Sequence, residues 1–306
     1  MNLKTNYGII PIKELLIEKI PDTPKTKLPE DITLLYDQFF DKLSAPIWVK
    51  LKNKKTIQLN ENTKTKIKET KWLRAGASIH KIKLPTHLDP KLAYLIGYLY
   101  GDGGFKDIRN SYKKHGRFEH KIIVGDEFEI QIERIKWLFK KLFNLETKIR
   151  KERIEKGERM YYINPTCKII YRFFVKLFEF KEGPKKNIKI PLLIKKAPSE
   201  IKKWFLRGFV DADGDVRATE YYLNRDLPSP RIKVRLADEQ FVKQLKKALN
   251  KHFSLNLTGP YSDTGYDWYI QCSKKGMINA NKQTLFTHPI KRWRLENFLA
   301  REHSSA

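Results

Sequence analysis

Apolar positions along this chain recur at helical spacing, and short stretches of alternating polar and β-favouring residues separate the helical runs. Asp89 supplies a capping carboxylate, Pro90 follows at the first helical position, and the apolar run continues to Gly101. Beyond it, the pattern predicts two strands over 104–125 that turn at 113–116, a helix over 127–143, two strands over 147–164 that turn at 156–157, and a helix over 166–180.

The same order of elements starts again at Ser199. The pattern predicts a helix over 200–212, strands over 215–224 and 231–237, a helix over 239–252, two strands within 255–273, and a helical tail. Because the order is duplicated, we expect an α+β fold with two pseudo-symmetric αββαββα halves related by an approximate twofold axis. The expected units are 1–88, a first half over 89–182, a connector over 183–198 and a second half over 199–306.

Two short stretches at matched places in the halves look like copies of one another. They are residues 95–103 (LIGYLYGDG) and 206–214 (LRGFVDADG). Small residues lie every fourth position in each, Gly97 and Gly101 in the first and Gly208 and Ala212 in the second. This spacing predicts that the two helices pack closely and bring Asp102 and Asp213 together in their last turns, where unpaired carbonyl groups and the helix dipole favour a cation.

The oxygen ligands of this pair, with no His or Cys nearby, favour Mg²⁺ over zinc. A metal held between carboxylates and a phosphate suits phosphodiester hydrolysis. Two simpler interpretations are that each Asp only caps a helix end, or that 211–222 is a calcium loop. The calcium loop fails because Val216 stands where such a loop needs Gly and Tyr222 where it needs Glu.

Composition points to a polyanionic partner. The 306 residues include 62 Lys and Arg against 35 Asp and Glu, a formal net charge of +27, and the excess extends along the whole chain. Nucleic acid fits this charge, and a Lys-rich solvated surface is the alternative. Only two cysteines are present, Cys167 and Cys272, and no leader or apolar run suggests a membrane. We expect a cytoplasmic, nucleoid-associated protein with no membrane partner.

The motif at 206–214, the looser copy at 95–103 and the repeat order over 89–300 resemble the LAGLIDADG homing endonuclease family in its monomeric, two-motif form. The resemblance implies saddle-shaped antiparallel sheets over duplex DNA and cleavage of both strands across the minor groove at a long asymmetric site. It also implies Mg²⁺, with Mn²⁺ as a substitute, bound by Asp102 and Asp213 and by the backbone carbonyls of Gly101 and Ala212. A role in intron or intein mobility follows from the same resemblance.

One feature departs from the family. Many members have a Lys or Gln near the end of the second strand of each half, and the matching stretches 123–126 and 236–238 contain no basic residue. Lys121, Lys233 and Arg235 are the expected substitutes in support of catalysis. Because of this departure, a second hypothesis remains open, in which the chain is a catalytically weak or inactive DNA-binding regulator or an RNA maturase. A third hypothesis, which involves no nucleic acid, is a basic metal-binding scaffold for an acidic protein.

Alternate residues of a two-stranded ribbon face the DNA when the ribbon lies in the major groove. We expect most basic residues on these strands to bind phosphates and a few arginines to read guanine. The candidates are Lys106, Arg109, Lys113, Arg117, Lys121, Lys148, Arg150, Arg153, Arg217, Arg225, Arg231, Lys233 and Arg235.

Residues 1–88 give a less regular pattern, for which we expect a β-rich fold. A short helix is predicted over 31–43 and strands over 47–51 and 56–59. Residues 72–85 faintly resemble the end of an intein splicing module, but residue 1 is not Cys or Ser and residues 303–306 are not His-Asn, so we expect no splicing. A decayed module and a DNA-contacting arm both remain open.

Overall fold

The computed structural model describes residues 2–5, 8–11, 20–153, 159–217, 231–262 and 264–303. The N-terminal region contains strands β1 (Asn2–Thr5), β2 (Gly8–Pro11), β3 (Thr26–Lys27), β4 (Ile47–Leu51), β5 (Thr56–Gln58), β6 (Thr70–Ala75) and β7 (His87–Leu88), and helix α1 (Gln38–Lys42). β5, β4 and β6 form an antiparallel sheet, and β1–β2 and β3–β7 form two further pairs. The strands predicted over 47–51 and 56–59 are confirmed, and the helix predicted over 31–43 is divided into a 3₁₀ turn and α1.

The first half contains α2 (Pro90–Asp102), β8 (Gly103–Phe105), α3 (Ile108–His115), β9 (Ile122–Asp126), α4 (Glu129–Phe143), β10 (Arg150–Arg153), β11 (Arg159–Ile163) and α5 (Lys168–Phe178). Its four strands form an antiparallel sheet in the order β10-β11-β9-β8. The helices predicted over 127–143 and 166–180 are confirmed. The turn predicted at 156–157 lies outside the described residues.

One predicted hairpin in the first half is wrong. Residues 108–115 form helix α3 where the sequence pattern predicted strands and a turn. The helix begins because the Asp107 carboxylate accepts a hydrogen bond from the Asn110 amide at 2.9 Å, and it ends at Gly116, which adopts a left-handed φ of +65°. Arg109, expected on a strand, and Lys113, expected at the turn, therefore lie on a helix, and Arg117 lies just after it.

After α6 (Leu192–Lys196), the second half contains α7 (Ser199–Asp213), β12 (Gly214–Arg217), β13 (Arg231–Leu236), α8 (Glu239–Phe253), β14 (Thr258–Ser262), β15 (Trp268–Cys272), α9 (Lys274–Lys282) and α10 (Pro289–His303). Its antiparallel sheet has the order β12-β13-β15-β14, which is the order of the first sheet. The α+β fold with two matched halves is thus confirmed. The strand continuation predicted to 224 and the loop that contains Arg225 lie outside the described residues.

Strand pairing puts the two halves in register with each other. Gly103, directly after Asp102, pairs with Val124, and Gly214, directly after Asp213, pairs with Val234. Both valines are fully buried against the helices. Since successive strand residues point to opposite faces, the residues on either side of these valines face away from the core. Each half therefore presents one open sheet face.

Buried charges attach the N-terminal region to the first half. Asp41 forms ion pairs with Lys168 and with Arg172, whose Nη1 lies 2.5 Å from Asp41 Oδ2, and all three side chains are less than 10% exposed. Arg172 also donates to the carbonyl oxygen of Leu35 at 3.0 Å. The region over 20–88 therefore packs on α5 as part of the same body of structure. In the part of the chain that the structure describes, no helix is long and apolar enough to cross a membrane.

Candidate metal and nucleic-acid site

Helices α2 and α7 cross with their backbones in contact. A Cβ on Gly97 would lie 1.9 Å from the carbonyl oxygen of Phe205, and a Cβ on Gly208 would lie 2.1 Å from that of Tyr94. Real Cβ atoms essentially never come closer than 3.0 Å to such atoms, so only glycine permits this approach. The close packing predicted from the small-residue spacing is present, and it is reciprocal between the halves.

The last turns of the same helices lie side by side. A Cβ on Gly101 would lie 2.4 Å from the Cβ of Ala212 and 3.1 Å from Oδ2 of Asp213. The carboxylate of Asp213 therefore lies over the residue that precedes Asp102. The structure brings together Asp102, Asp213 and the two small residues before them at one end of the helix pair.

This arrangement makes it unfavourable for both carboxyl groups to be charged. Burial and the neighbouring Asp213 raise the pKa of Asp102 to about 7, although Lys291 and Lys185 oppose the shift. Burial also raises the pKa of Asp213, against the effect of the same two lysines. Two acidic groups held this closely stay ionised only when positive charge is supplied to them. The site is therefore suited to a cation.

Two lysines that the sequence pattern did not single out reach this end of the helices. Lys291, from α10, donates to the carbonyl oxygens of Asp211 and Ala212, each at 2.6 Å. Lys185, from the connector, donates to the carbonyl oxygen of Gly101. The sequence offers one shared signal, because Lys185 directly follows Pro184 and Lys291 closely follows Pro289.

The donor atoms fit a hard divalent cation such as Mg²⁺. The carbonyl oxygens of Gly101 and Ala212 already accept from ammonium groups, which shows that these positions attract positive charge. Carboxylate and carbonyl oxygens are ligands that Mg²⁺ prefers, with the rest supplied by water and phosphate. Among the described residues, no group of three or more His, Cys, Asp or Glu side chains is gathered to hold a metal ion.

Asp211, the first acidic residue of the second motif, has a structural role. Its carboxylate is fully buried and accepts from the Tyr94 hydroxyl at 2.8 Å and from the Thr287 amide at 2.9 Å. Tyr100 stands at the matching place in α2, and its hydroxyl donates to the carbonyl oxygen of Phe178 at 2.7 Å. The side chain of Asp211 thus ties α7 to α2, which agrees with the rejection of a calcium loop.

The predicted DNA-contacting residues of the first half are divided among several elements. Lys106 and Arg117 both pair with Glu119, at 2.5 and 3.3 Å. Lys121, just before β9, forms an isolated antiparallel β-bridge with Thr166. Lys148 is exposed before β10, and Arg150 and Arg153 lie within that strand. Arg150 is exposed, and its partner in the sheet is Tyr162.

The second half places its candidates more uniformly. Arg217 lies in β12, and Arg231, Lys233 and Arg235 lie in β13. Lys233 and Arg235 alternate with the buried Ile232 and Val234, so they belong to the open face. The ammonium group of Lys233 lies 3.5 Å from the centre of the Tyr269 ring.

Two lysines outside the strands are set against the acidic pair. Among the described residues, Lys185 and Lys291 both act to lower the pKa values of Asp102 and Asp213, against the effect of burial. Lys121, Lys233 and Arg235 lie beside or within strands of the two sheets, and their expected support of catalysis stays a prediction. Sequence position alone did not show this, because Lys185 and Lys291 reach the site only through tertiary packing.

No protein-family model matches the chain. The chain is 29% identical over 209 residues (61% of its length, 16% of the relative) to a probable translation initiation factor IF-2 of Methanocaldococcus jannaschii. It is 29% identical over 138 residues (45% and 11%) to a glutamine–fructose-6-phosphate aminotransferase of that organism. It is also 28% identical over 134 residues (44% and 12%) to a subunit of the A-type ATP synthase of Pyrococcus abyssi. The chain thus matches less than a fifth of each relative.

Similar solved structures include I-DmoI in complex with DNA and Mn, at 18% identity and a TM-score of 0.43, covering 64% of this chain and 96% of that one. Another is the homing endonuclease I-WcaI bound to its DNA recognition sequence, at 16% identity and a TM-score of 0.47, covering 67% and 85%.

Proposed function

We propose that this chain is a LAGLIDADG-type, site-specific DNA endonuclease that acts as a monomer and hydrolyses both strands of a duplex with Mg²⁺. One observation carries the proposal: two acidic residues from duplicated helices meet at the ends of a glycine-lined contact. One carboxylate per half suits a reaction in which each half acts on one strand. The two open sheet faces then give the duplex two different surfaces to bind.

Asp102 and Asp213 would hold the metal, together with the carbonyl oxygens of Gly101 and Ala212. When bound, the metal supplies polarisation of the phosphate, a bound water of lowered pKa and neutralisation of the leaving oxygen. The chain itself contributes rigidity, because backbone contact at Gly97 and Gly208 fixes how far apart the acidic residues lie.

Lys185 and Lys291 contribute positive charge to the same place. Their ammonium groups donate to carbonyl oxygens at the ends of α2 and α7, within the electrostatic reach of both carboxylates. With a phosphate bound, each ammonium group would neutralise developing charge and serve as a proton donor to an adjacent oxygen. These two lysines would supply the supporting charge that the family resemblance led us to expect from Lys121, Lys233 and Arg235.

Charge supports duplex DNA as the partner. The formal net charge of +27 favours a polyanion. Arg150, Lys233 and Arg235 lie on strands of the two antiparallel sheets, and a two-stranded antiparallel ribbon fits the major groove of duplex DNA. Because the two halves carry different residues on these sheets, the preferred site would be long and asymmetric.

The curated relatives support a mobile genetic origin. A segment similar to this chain occurs in an initiation factor, an aminotransferase and a component of an ATP synthase, three proteins with unrelated names, and makes up less than a fifth of each. A segment shared in this way behaves as an inserted unit, which agrees with a role in intron or intein mobility.

A second candidate is a non-cleaving descendant, either a DNA-binding regulator or an RNA maturase. One observation favours it: ammonium groups already lie on the carbonyl oxygens of Gly101 and Ala212 that a metal would need. In that case the lysines replace the metal, and the fold keeps its nucleic-acid surface without hydrolysis.

Incubation of a plasmid library with the protein and Mg²⁺ distinguishes the candidates. We expect defined double-strand cuts that are absent in EDTA and lost in Asp102→Asn and Asp213→Asn, while both variants still bind duplex DNA. Asp22→Asn is the matched control, because Asp22 is exposed and pairs with Lys91 at the other end of α2. Salt-sensitive binding without cuts would support the regulator or maturase, and the absence of nucleic-acid binding would contradict both.

A further inference from the structure

The open faces of the two sheets carry different chemistry at matched positions. The strand register places Ile123 of the first half where the second half has Lys233, and Gly125 where the second half has Arg235. The second sheet thus presents two cationic side chains, whereas the first sheet presents one apolar side chain and a glycine at the matched positions.

A neighbouring residue enlarges this apolar area. Met160 of β11 is 38% exposed and Ile123 is 41% exposed. A Cβ on Gly125 would lie 3.4 Å from the Cε of Met160, and a Cβ on Gly104 would lie 3.9 Å from the Cβ of Ile123. We call these four residues the apolar patch. Its two glycines leave the strand backbones open to close approach.

The apolar patch does not belong to the core. Ile122 and Val124, on either side of Ile123, are buried against the helices, so strand alternation turns Ile123 to the opposite face. On the neighbouring strand β10, the exposed Glu152 pairs with Met160 of the patch, and the exposed Arg150 pairs with Tyr162. An apolar centre on a chain with a formal net charge of +27 complements an anionic partner that also offers apolar groups.

Duplex DNA offers one such group in its major groove. Thymine carries the C5 methyl, the apolar contact on the base edges there, whereas the other edges present donors and acceptors. Long apolar side chains such as Ile and Met can contact this methyl, and lysine and arginine hydrogen-bond to guanine or to phosphates.

We propose that the apolar patch reads thymine methyl groups in the half-site under the first sheet, whereas Lys233 and Arg235 bind the other half-site through polar contacts. Ile123 and Met160 are the specificity-determining residues, and Gly104 and Gly125 allow the base edges to reach them. The inference rests on the proposed binding of duplex DNA, and it holds whether or not the chain cleaves that DNA.

The test uses the duplex that the wild-type protein selects from a random library, with cleavage prevented by Ca²⁺. Each thymine is then replaced in turn by deoxyuridine, which lacks only the methyl group. We expect thymines to be enriched in one half of the selected site, and their replacement there to weaken binding by about fourfold per methyl, the effect of one buried methylene. Replacement in the other half changes binding by less than about twofold.

Variants connect the effect to the residues. Ile123→Ala and Met160→Ala are expected to remove the deoxyuridine penalty at specific thymines, while Ile79→Ala, at an isoleucine 87% exposed outside the sheets, retains it. A selected site without enriched thymines, an absent penalty in the wild-type protein, or a penalty unchanged in both sheet variants would overturn the inference. Failure to select any duplex would instead count against the proposed function.

Discussion

The ammonium group of Lys291 donates to the carbonyl oxygen of Ala212 at 2.6 Å, one residue before Asp213. Lys185 has the same relationship to Gly101, one residue before Asp102. One lysine comes from the connector and the other from α10, yet both end at matched places. The duplication of the halves therefore includes the basic groups that face the acidic pair.

Removal of either lysine is expected to slow cleavage more than it weakens binding. Lys185→Met and Lys291→Met each remove a charge and a proton donor beside the acidic pair, for which a loss of about 10²–10⁴-fold in cleavage rate is typical. Binding to the selected duplex should change by less than about threefold, since each lysine is one of many cations. Single-turnover cleavage and equilibrium binding measure the two effects. Lys196→Met, at an exposed lysine of α6, is the control, and wild-type cleavage rates in both variants would contradict the assignment.

The glycine contact between α2 and α7 makes a strong prediction about stability. Gly97→Ala and Gly208→Ala each force a Cβ into a backbone carbonyl at 1.9 or 2.1 Å, so the helices must separate. We expect each to lower the free energy of unfolding by at least about 3 kcal/mol, at the upper end of overpacking effects, measured by urea unfolding. Gly104→Ala meets no atom closer than 3.9 Å and should change it by at most about 1 kcal/mol. Equal effects of all three variants would show that the close contact is absent.

The buried ion group around Asp41 predicts a pH-dependent contribution to stability. Lys168, the Asp37 amide and Arg172 hold the pKa of Asp41 below its ordinary value, although burial acts in the other direction. The stabilisation is therefore complete above the unfolded pKa of about 3.9 and is lost as the pH falls through the lower folded value. Asp41→Asn leaves two buried cations without their partner and should cost about 3 kcal/mol or more near pH 7.

The same variant supplies its own control in acid. As the pH falls from about 3.9 through the lower folded pKa of Asp41, the difference in unfolding free energy between wild type and Asp41→Asn should shrink, because the wild-type carboxyl group becomes protonated too. A difference that stays constant down to pH 2 would contradict the ionised triad.

A second, separate unfolding transition in the wild-type protein would contradict the docking of residues 20–88 on α5.

Salt dependence separates a nucleic-acid surface from a scaffold for an acidic protein. Each phosphate neutralised adds about −0.9 to the slope of log K against log salt concentration, so we expect a steep loss of duplex binding between about 50 and 200 mM salt. Arg235→Ala should reduce the slope by about one if this side chain contacts a phosphate. Lys247→Ala, on a helix that packs behind the same sheet, should leave it unchanged. Duplex binding that barely changes with salt would favour the scaffold.

Periodicity was sufficient to predict most of the elements, because helices such as α4 and α8 bury one face and the small residues of the motifs recur every fourth position. It failed at residues 108–115, where a capping aspartate and a terminal glycine produce a helix that the alternating pattern did not indicate. It also missed Lys185 and Lys291, whose positions follow from tertiary packing. The contrast between Ile123 and Lys233 required the strand register, which the sequence alone did not give.

A crystal structure of the protein with its selected duplex and Mn²⁺ tests the central claim most directly. We predict anomalous density for Mn²⁺ in contact with carboxylate oxygens of both Asp102 and Asp213, at about 2.0–2.2 Å, next to the phosphates to be cleaved. In that state Lys185 and Lys291 should have left the carbonyl oxygens of Gly101 and Ala212. An ordered duplex with no ion between the two carboxylates, and with both lysines still on those carbonyls, would contradict the account.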